Sequence, residues 1–350
     1  MKTLKVTGFI LLALILSFGL FIGYSSLTWY NPPQELTVAE NVNPDTIPRD
    51  LVLRILSWNI GYAGLGDNMD FFYDGGHKVR DSYERTTANV DSVKRFLKRN
   101  TACDFVFLQE VDIRSKRSYR INEKDTFENQ AALSSSFAVN YKVKFVPIPV
   151  LSPMGSVNSG IMVLGKYHPE NSKRYAFPGM FSWPTRLFQL RRCMLVNRYP
   201  VANGKEFVLI NSHFSAFDDG SLKRQEMNYM KDFVQAEFGK GNYVVVGGDW
   251  NQSPPDFPLT KFGENYKSDN FLLNNIPEDF MPDGWKWAFD PSTPTNRYLN
   301  ESYSPGKTFC CLIDLFLVSP NVEVLQNKTT NLNFRNSDHN PIAMEFRLKK

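Results

Sequence analysis

Apolar runs of strand length recur along this chain, and six polar motifs adjoin them that packing alone does not require. In order these are Trp58-Asn59-Ile60-Gly61, Leu108-Gln109-Glu110, Asn211-Ser212-His213, Gly248-Asp249-Trp250-Asn251, Ile313-Asp314 and Ser337-Asp338-His339-Asn340-Pro341. The first five follow or lie within a run that reads as a buried strand, and the last immediately precedes one. A single charged strand end is ordinarily just solvated surface. Carboxylates, amides and histidines repeated at successive strand ends are instead what an α/β sheet needs to build a site where its strands stop.

The strand candidates are 51–59, 104–109, 142–148, 160–165, 193–199, 206–213, 243–248, 311–318 and 342–348. Helical periodicity is clear twice. Residues 78–99 align Val79, Tyr83, Val90, Val93 and Leu97, and residues 221–238 align Leu222, Tyr229, Met230, Phe233 and Val234 behind Ser221 as N-cap. Many strands with few helices between them predict two sheets packed together and flanked by helices within one domain. Two long insertions follow site motifs, at 62–77 with Phe71-Phe72-Tyr73 and at 252–305 with Trp285, Trp287, Phe289 and Tyr298. Loops so placed shape access to a site, or their aromatics pack as a satellite core.

From Val6 to Leu27 no charged residue occurs in 22 positions, roughly 33 Å of helix and enough to cross a bilayer core. Lys2 and Lys5 precede it and Trp29-Tyr30 follow it, so the positive-inside rule places everything after residue 30 outside the cytoplasm. We read residues 1–30 as a membrane anchor. The competing reading is a cleaved signal peptide with a weak small-x-small site at Gly23 and Ser25, which would make the protein secreted. Residues 31–50, with Pro32, Pro33, Pro44 and Pro48, read as an extended tether, and residues 51–350 as the globular domain. Apart from Lys2 and Lys5, 38 basic face 36 acidic side chains, which gives nonspecific nucleic-acid binding little support. Cys103, Cys193, Cys310 and Cys311 lack metal-type spacing and read as buried free thiols.

These residue types fit the needs of phosphoester hydrolysis. A hard divalent cation must neutralise phosphate oxygens, and Glu110 with the side-chain oxygen of Asn59 are the natural ligands. A water must be aligned for in-line attack, and Asp249 is the natural base. Asn251 can donate to a phosphoryl oxygen. His213 and His339 can meet developing negative charge. Asp314, an acid in the middle of an apolar run, needs a partner, and an Asp–His pair would supply one. His77 and His168 read as loop residues without a role.

The ordered motifs resemble those of the endonuclease/exonuclease/phosphatase superfamily, with its deoxyribonuclease-type fold, over about residues 51–350. The resemblance implies a four-layer α/β sandwich with two central mixed β-sheets, here behind one N-terminal transmembrane helix. It implies a magnesium-dependent site in which manganese or calcium could substitute. Asn59 and Glu110 would lie at the metal, with Asp338 near it or holding the site in register. Asp249 would act on the water, Asn251 on the phosphoryl group, and His213 and His339 on the transition state, with Asp314 supporting His339. Inositol-polyphosphate 5-phosphatases carry Trp-Cys-Asp-Arg around the strand aspartate where this chain reads Ile313-Asp314-Leu315, and abasic-site endonucleases place Tyr at His213. Secreted deoxyribonucleases, bacterial sphingomyelinases and exported bacterial members are more similar. Arg186, Arg191 and Arg192 are candidate substrate contacts, or a solvated strand edge.

The expected activity is therefore a membrane-anchored, divalent-metal-dependent phosphodiesterase or phosphatase acting on a small or lipid-linked phosphoester. The alternatives are an exported nuclease with a basic groove around Lys142, Lys144, Arg186, Arg191 and Arg192, and a tethered binding module without turnover. No protein partner is expected.

Overall fold

The computed structural model describes residues 2–131, 134–217, 219–263 and 273–349, so positions 264–272 of the second insertion lie outside the described residues. Helix α1 (Lys2–Leu27) precedes two large sheets. One sheet runs β1 (Glu35–Glu40), β6 (Asn171–Ala176), β7 (Cys193–Pro200), β8 (Glu206–His213), β9 (Tyr243–Asp249), β13 (Asp314–Val318), β10 (Lys286–Ala288). The other runs β14 (Val322–Thr329), β15 (Ile342–Leu348), β2 (Leu53–Asn59), β3 (Phe105–Asp112), β5 (Gly155–Gly165), β4 (Ser134–Val146). A short hairpin pairs β11 (Asn296–Arg297) with β12 (Cys310–Cys311).

Both sheets are mixed, and each contains one parallel pair among the named strands, β2 with β3 and β8 with β9. Parallel neighbours need a crossover, and helices α2 (Tyr83–Arg99) and α4 (Ser221–Gly239) supply the two. The site-bearing C-terminal ends of these four strands consequently lie side by side, with Asn59 opposite Gln109 and His213 opposite Asp249. The antiparallel strand β13 enters at the same end, Asp314 opposite Asp249.

Period-two burial gives four layers. Leu53, Ile55, Phe105, Phe107, Phe207, Leu209, Val245 and Phe316 meet between the sheets. On the outer faces Leu56, Trp58 and Leu108 pack under Val90, Val93 and Leu97 of α2, and Val208, Ile210, Val244 and Val246 under Met227, Met230 and Val234 of α4. The four-layer sandwich expected from the sequence is the one observed.

Several details differ from the sequence reading. The run 311–318 is broken: Cys310–Cys311 pairs in the small hairpin, and Asp314 opens β13 instead of sitting in mid-strand. The interruption is fixed by Thr295 Oγ1, which accepts from the backbone N–H of Ile313 and Asp314 at 3.0 and 3.1 Å. Helix α2 starts at Tyr83 rather than 78, because Ser82 caps it by accepting from the Arg85 N–H at 3.1 Å, and Tyr83 itself is exposed. Gly220, in the left-handed region at φ 87°, stands at the N-cap of α4 in place of Ser221. Within 31–50, β1 pairs antiparallel with β6. The four cysteines are free thiols, all but Cys103 buried.

Helix α1 is long and apolar enough to cross a membrane; it is exposed from Thr3 to Leu20, and only its last turns, at Phe21, Ile22 and Ser25, are covered by the domain.

Candidate active site

Strand parity places most of the motif residues without further assumption. Counting by twos from the inter-sheet core, Phe107 leads to Gln109, Leu209 to Asn211 and His213, Val245 to Gly247 and Asp249, and Phe316 back to Asp314. The polar groups therefore replace the apolar core where the sheets end. Beneath them Gln109 Nε2 donates to Asn211 Oδ1 at 2.7 Å, joining the two sheets, and to Ser57 Oγ on the neighbouring strand β2 at 3.2 Å.

Glu110 should by parity face α2, yet it lines the cleft. The pairing of β3 with β5 slips between Leu108 and Val111, and Glu110 takes φ 56°, a left-handed conformation rare for such a residue. This β-bulge re-aims the side chain toward Asn59, whose Nδ2 lies 3.4 Å from Glu110 Oε1. Local strain spent on one carboxylate is typical of functional positions. Gly248 serves a related end, since a Cβ there would run into the carbonyl oxygen of Ser212. It lets β8 and β9 close up just below Asp249.

Asp249 is the hub. Its Oδ2 accepts from Asn59 Nδ2 at 3.0 Å and lies 3.4 Å from His213 Nε2 and 3.7 Å from His339 Nε2. Its Oδ1 accepts from the Asn251 N–H at 2.9 Å. Burial pushes the carboxyl up to about 6 against the opposing pull of His339. The expected Asp–His pair is present, with His339 Nδ1 2.8 Å from Asp314 Oδ2. Burial alone would lower His339, but Asp314, Asp338 and Asp249 outweigh it and raise the imidazole to about 10. His213 goes the other way: burial, reinforced by Arg192 and His339, holds it well below the ordinary histidine value. One imidazole is thus cationic and the other neutral at pH 7, a division suited to two different tasks.

The remaining predicted residues are placed as follows. Asn251 Nδ2 donates to the Phe214 carbonyl at 2.9 Å, so its amide nitrogen is held by backbone. Asn59 Oδ1 accepts from the Gly61 N–H at 3.0 Å, so it is the nitrogen of this amide that faces Asp249. Asp338 lies 3.8 Å from His339 Nε2 and burial lifts its carboxyl to about 6. Of the three arginines only Arg192 lines the cleft. Arg191 Nη1 donates to the Gly179 carbonyl at 3.2 Å, and Arg186 lies 4.8 Å over the Trp29 ring. The basic groove expected for a nuclease is not assembled from them. Neither His77, exposed beside Asp70, nor His168, beside Asp45, approaches the cleft.

Sequence reasoning missed several cleft residues. Arg117 forks onto Asp112 at 3.1 and 2.9 Å, lies 3.7 Å from Glu110 Oε2 and stacks 3.9 Å from the Tyr62 ring. Asn296 Nδ2 lies 3.0 Å from His339 Nε2. Asp74 and Arg297 also line the cleft, and burial raises the Asp74 carboxyl to about 7. The pair Glu110-x-Asp112 ending an apolar run was a usable signal for Asp112, whereas Arg117 and Asn296 sit in segments without periodicity.

The donor set suits a hard cation. Glu110, Asp338 and Asp249 offer carboxylate oxygens in one cleft, and ligand atoms of Asp249, Asp314 and His339 lie within 4.8 Å of one another. Crowding of carboxylates, with two lifted to about 6 by burial, is the electrostatic condition that a divalent ion relieves.

The sequence matches the Endonuclease/Exonuclease/phosphatase family over residues 56–339. Comparison with the curated proteins found no match. Among solved structures, the chain is similar to an endonuclease/exonuclease/phosphatase from Beutenbergia cavernae at 18% identity and TM-score 0.55, covering 85% of this chain and 72% of that one. It is similar to one from Bacteroides vulgatus at 17% identity and TM-score 0.54, covering 85% and 100%. A third likeness is to D. rerio TDP2 complexed with single strand DNA product, at 18% identity and TM-score 0.51, covering 85% and 99%. At these identities the likeness is one of fold.

Proposed function

The chain belongs to the Endonuclease/Exonuclease/phosphatase family, and from that premise we propose that it is a membrane-anchored, magnesium-dependent phosphoester hydrolase. The observation that carries the reading is the convergence of Asn59, His213 and His339 on one oxygen of Asp249. Residues 1–30 form the anchor, residues 31–50 connect it, and residues 51–350 form the catalytic domain outside the cytoplasm. The asymmetry of Lys2 and Lys5 supports that orientation.

Glu110 and Asp338 would hold the cation beside the Asn59 amide, with manganese as a workable substitute. When bound, the cation supplies neutralisation of phosphoryl charge. Asp249 orients the attacking water and takes its proton. With its carboxyl near 6 it is ionised at neutral pH and more basic than a surface aspartate. The Asn59 N–H fixes the rotation of that carboxylate. His339, kept as an imidazolium by Asp314, hydrogen-bonds the phosphoryl oxygen as charge grows, and neutral His213 donates a second bond. Asn251 steadies Asp249 through its backbone N–H, and Arg192 is positioned to contact the substrate phosphate.

Near-neutral charge and the anchor favour a small or lipid-linked phosphoester over duplex nucleic acid. The test uses the purified full chain in detergent against a generic phosphodiester, a phosphomonoester, sphingomyelin and phospholipid vesicles, plasmid and single-stranded DNA, with and without magnesium. Magnesium-dependent cleavage abolished by Glu110→Gln is the expected result. A folded protein that binds magnesium and cleaves nothing in the panel counts against turnover and returns the tethered binding module.

A further inference from the structure

Helix α1 is held against the domain through its last turns. The Phe21 ring stacks on Phe188 at 5.6 Å and meets Phe145 edge-on at 6.2 Å. Trp183 Nε1 donates to Ser26 Oγ at 3.4 Å, and the Tyr30 hydroxyl donates to the Val139 carbonyl at 3.4 Å. The apolar span Thr3–Leu27 has 25 residues, about 37 Å of helix against a hydrocarbon core of about 30 Å. With that span centred, Phe21 lies about 6 Å inside the hydrocarbon edge. Phe145 and Phe188 touch its ring, so they must sit near the same depth.

The surface around these contacts is built for that position. No charged residue occurs from Phe145 to Gly165 or from Tyr175 to Thr185. The loop after β4 exposes Ile148, Val150 and Leu151, the last two at 84% and 99%, and the second segment exposes Met180 and Trp183. In water such side chains are costly, and Val150 and Leu151 have almost no protein cover. Basic groups flank the patch at Lys142, Lys144 and Arg186, and the first and last of these lie over Tyr30 and Trp29 at the end of α1. This is the aromatic and basic rim found where protein meets headgroups. The same two segments reach the cleft, which Met154, Met180, Phe181 and Leu190 line on that side.

We infer that the catalytic domain docks on the bilayer crossed by α1, through the 145–151 loop and the 180–186 segment. The cleft then opens at the headgroup level, and the substrate is a phosphoester carried on a membrane lipid. The substrate half of this inference rests on the hydrolase reading above; the docking half stands on geometry alone.

The test uses the full chain in nanodiscs of equimolar phosphatidylcholine, phosphatidylglycerol and sphingomyelin. Lipids brominated near the top of the acyl chain should quench a fluorescence component that Trp183→Phe removes, and absence of that quenching overturns the docking. The double variant Val150→Glu/Leu151→Glu should lower turnover of vesicle lipid at least tenfold while a water-soluble phosphodiester is cleaved at the unaltered rate. Equal rates on both substrates, relative to the unaltered protein, overturn the lipid-substrate assignment. If the unaltered protein cleaves neither the soluble ester nor the vesicle lipid, the hydrolase reading fails, and the quenching result still decides the docking.

Discussion

Asp249 and Arg117 are both buried and charged, yet they answer to different demands. Asp249 stands among donors with its carboxyl lifted to about 6, so its surroundings favour reactivity over rest. Asp249→Asn keeps the size of the side chain and removes the base. We expect kcat to fall about 10²- to 10⁴-fold with the melting temperature unchanged within error; a steady-state assay beside a thermal melt reads both, and a variant retaining most turnover would remove Asp249 from the mechanism. Arg117 instead compensates buried charge, its fork matched to Asp112 with Ser118 Oγ adding a bond at 2.8 Å. Arg117→Leu leaves the buried Asp112 without its guanidinium partner, which costs about 3 kcal/mol. Urea unfolding should show that loss, and an unshifted midpoint would mean that Asp112 is satisfied without the arginine.

At the scale of elements, α4 is tied to its sheet by a charged cluster as well as by Met227, Met230 and Val234. Arg198 on β7 donates to both Glu237 oxygens at 2.9 and 2.8 Å and to Glu206 at 2.7 Å. Burial alone would raise the Glu237 carboxyl, but hydrogen bonds from Arg198, Lys240 and Asn242 prevail and hold it at about 2, below its ordinary 4.5. The folded chain therefore resists protonation that the unfolded chain accepts. The stability from this group is complete above pH 4.5 and drains away as the pH falls toward 2. Between pH 6 and pH 3, Glu237→Gln should lose less stability than the unaltered chain, as urea midpoints at each pH would reveal; equal losses would place the acid sensitivity elsewhere. None of this cluster stood out in the sequence, because an Arg on a strand and a Glu on a helix give no periodic signal. Strands β2, β8 and β9 were legible because both faces are largely buried and their apolar runs are dense, and β15 because its apolar residues alternate with polar ones. Strand β6, reading Asn-Ser-Lys-Arg-Tyr-Ala, and helix α3 (Glu123–Ala131) were not, since each buries polar side chains such as Arg174 and Glu123 that pattern reading assigns to solvent. Glu110 was picked out as a site residue, but the bulge that aims it was invisible, because a positive φ leaves no mark in an apolar pattern.

For the whole molecule, the decisive fact is that the site spans both sheets. The six-stranded sheet brings Asn59 and Glu110, and the seven-stranded sheet brings His213, Asp249 and Asp314. The apolar core joins the sheets along most of their length, but at this end the joint is polar, through Asn59 to Asp249 and Gln109 to Asn211. A divalent ion held here would bind the assembled fold and have no equivalent site on the unfolded chain, since the proposed ligands Glu110 and Asp338 lie far apart in sequence. Binding then stabilises the fold by mass action, about 2.7 kcal/mol when the free ion stands at 100 times its dissociation constant. That corresponds to a rise of roughly 5 °C in melting temperature for a domain of this size. Calorimetry of the full chain in detergent should show that rise with magnesium, its reversal by a chelator, and a similar rise with manganese, which accepts the same oxygen donors. Glu110→Gln should remove most of the gain while shifting the metal-free transition little, because Glu110 is partly exposed and its nearest cation, Arg117, keeps Asp112. A rise of the same size in that variant would put the ion away from the cleft, and the two sheets would then be held by their own hydrogen bonds alone.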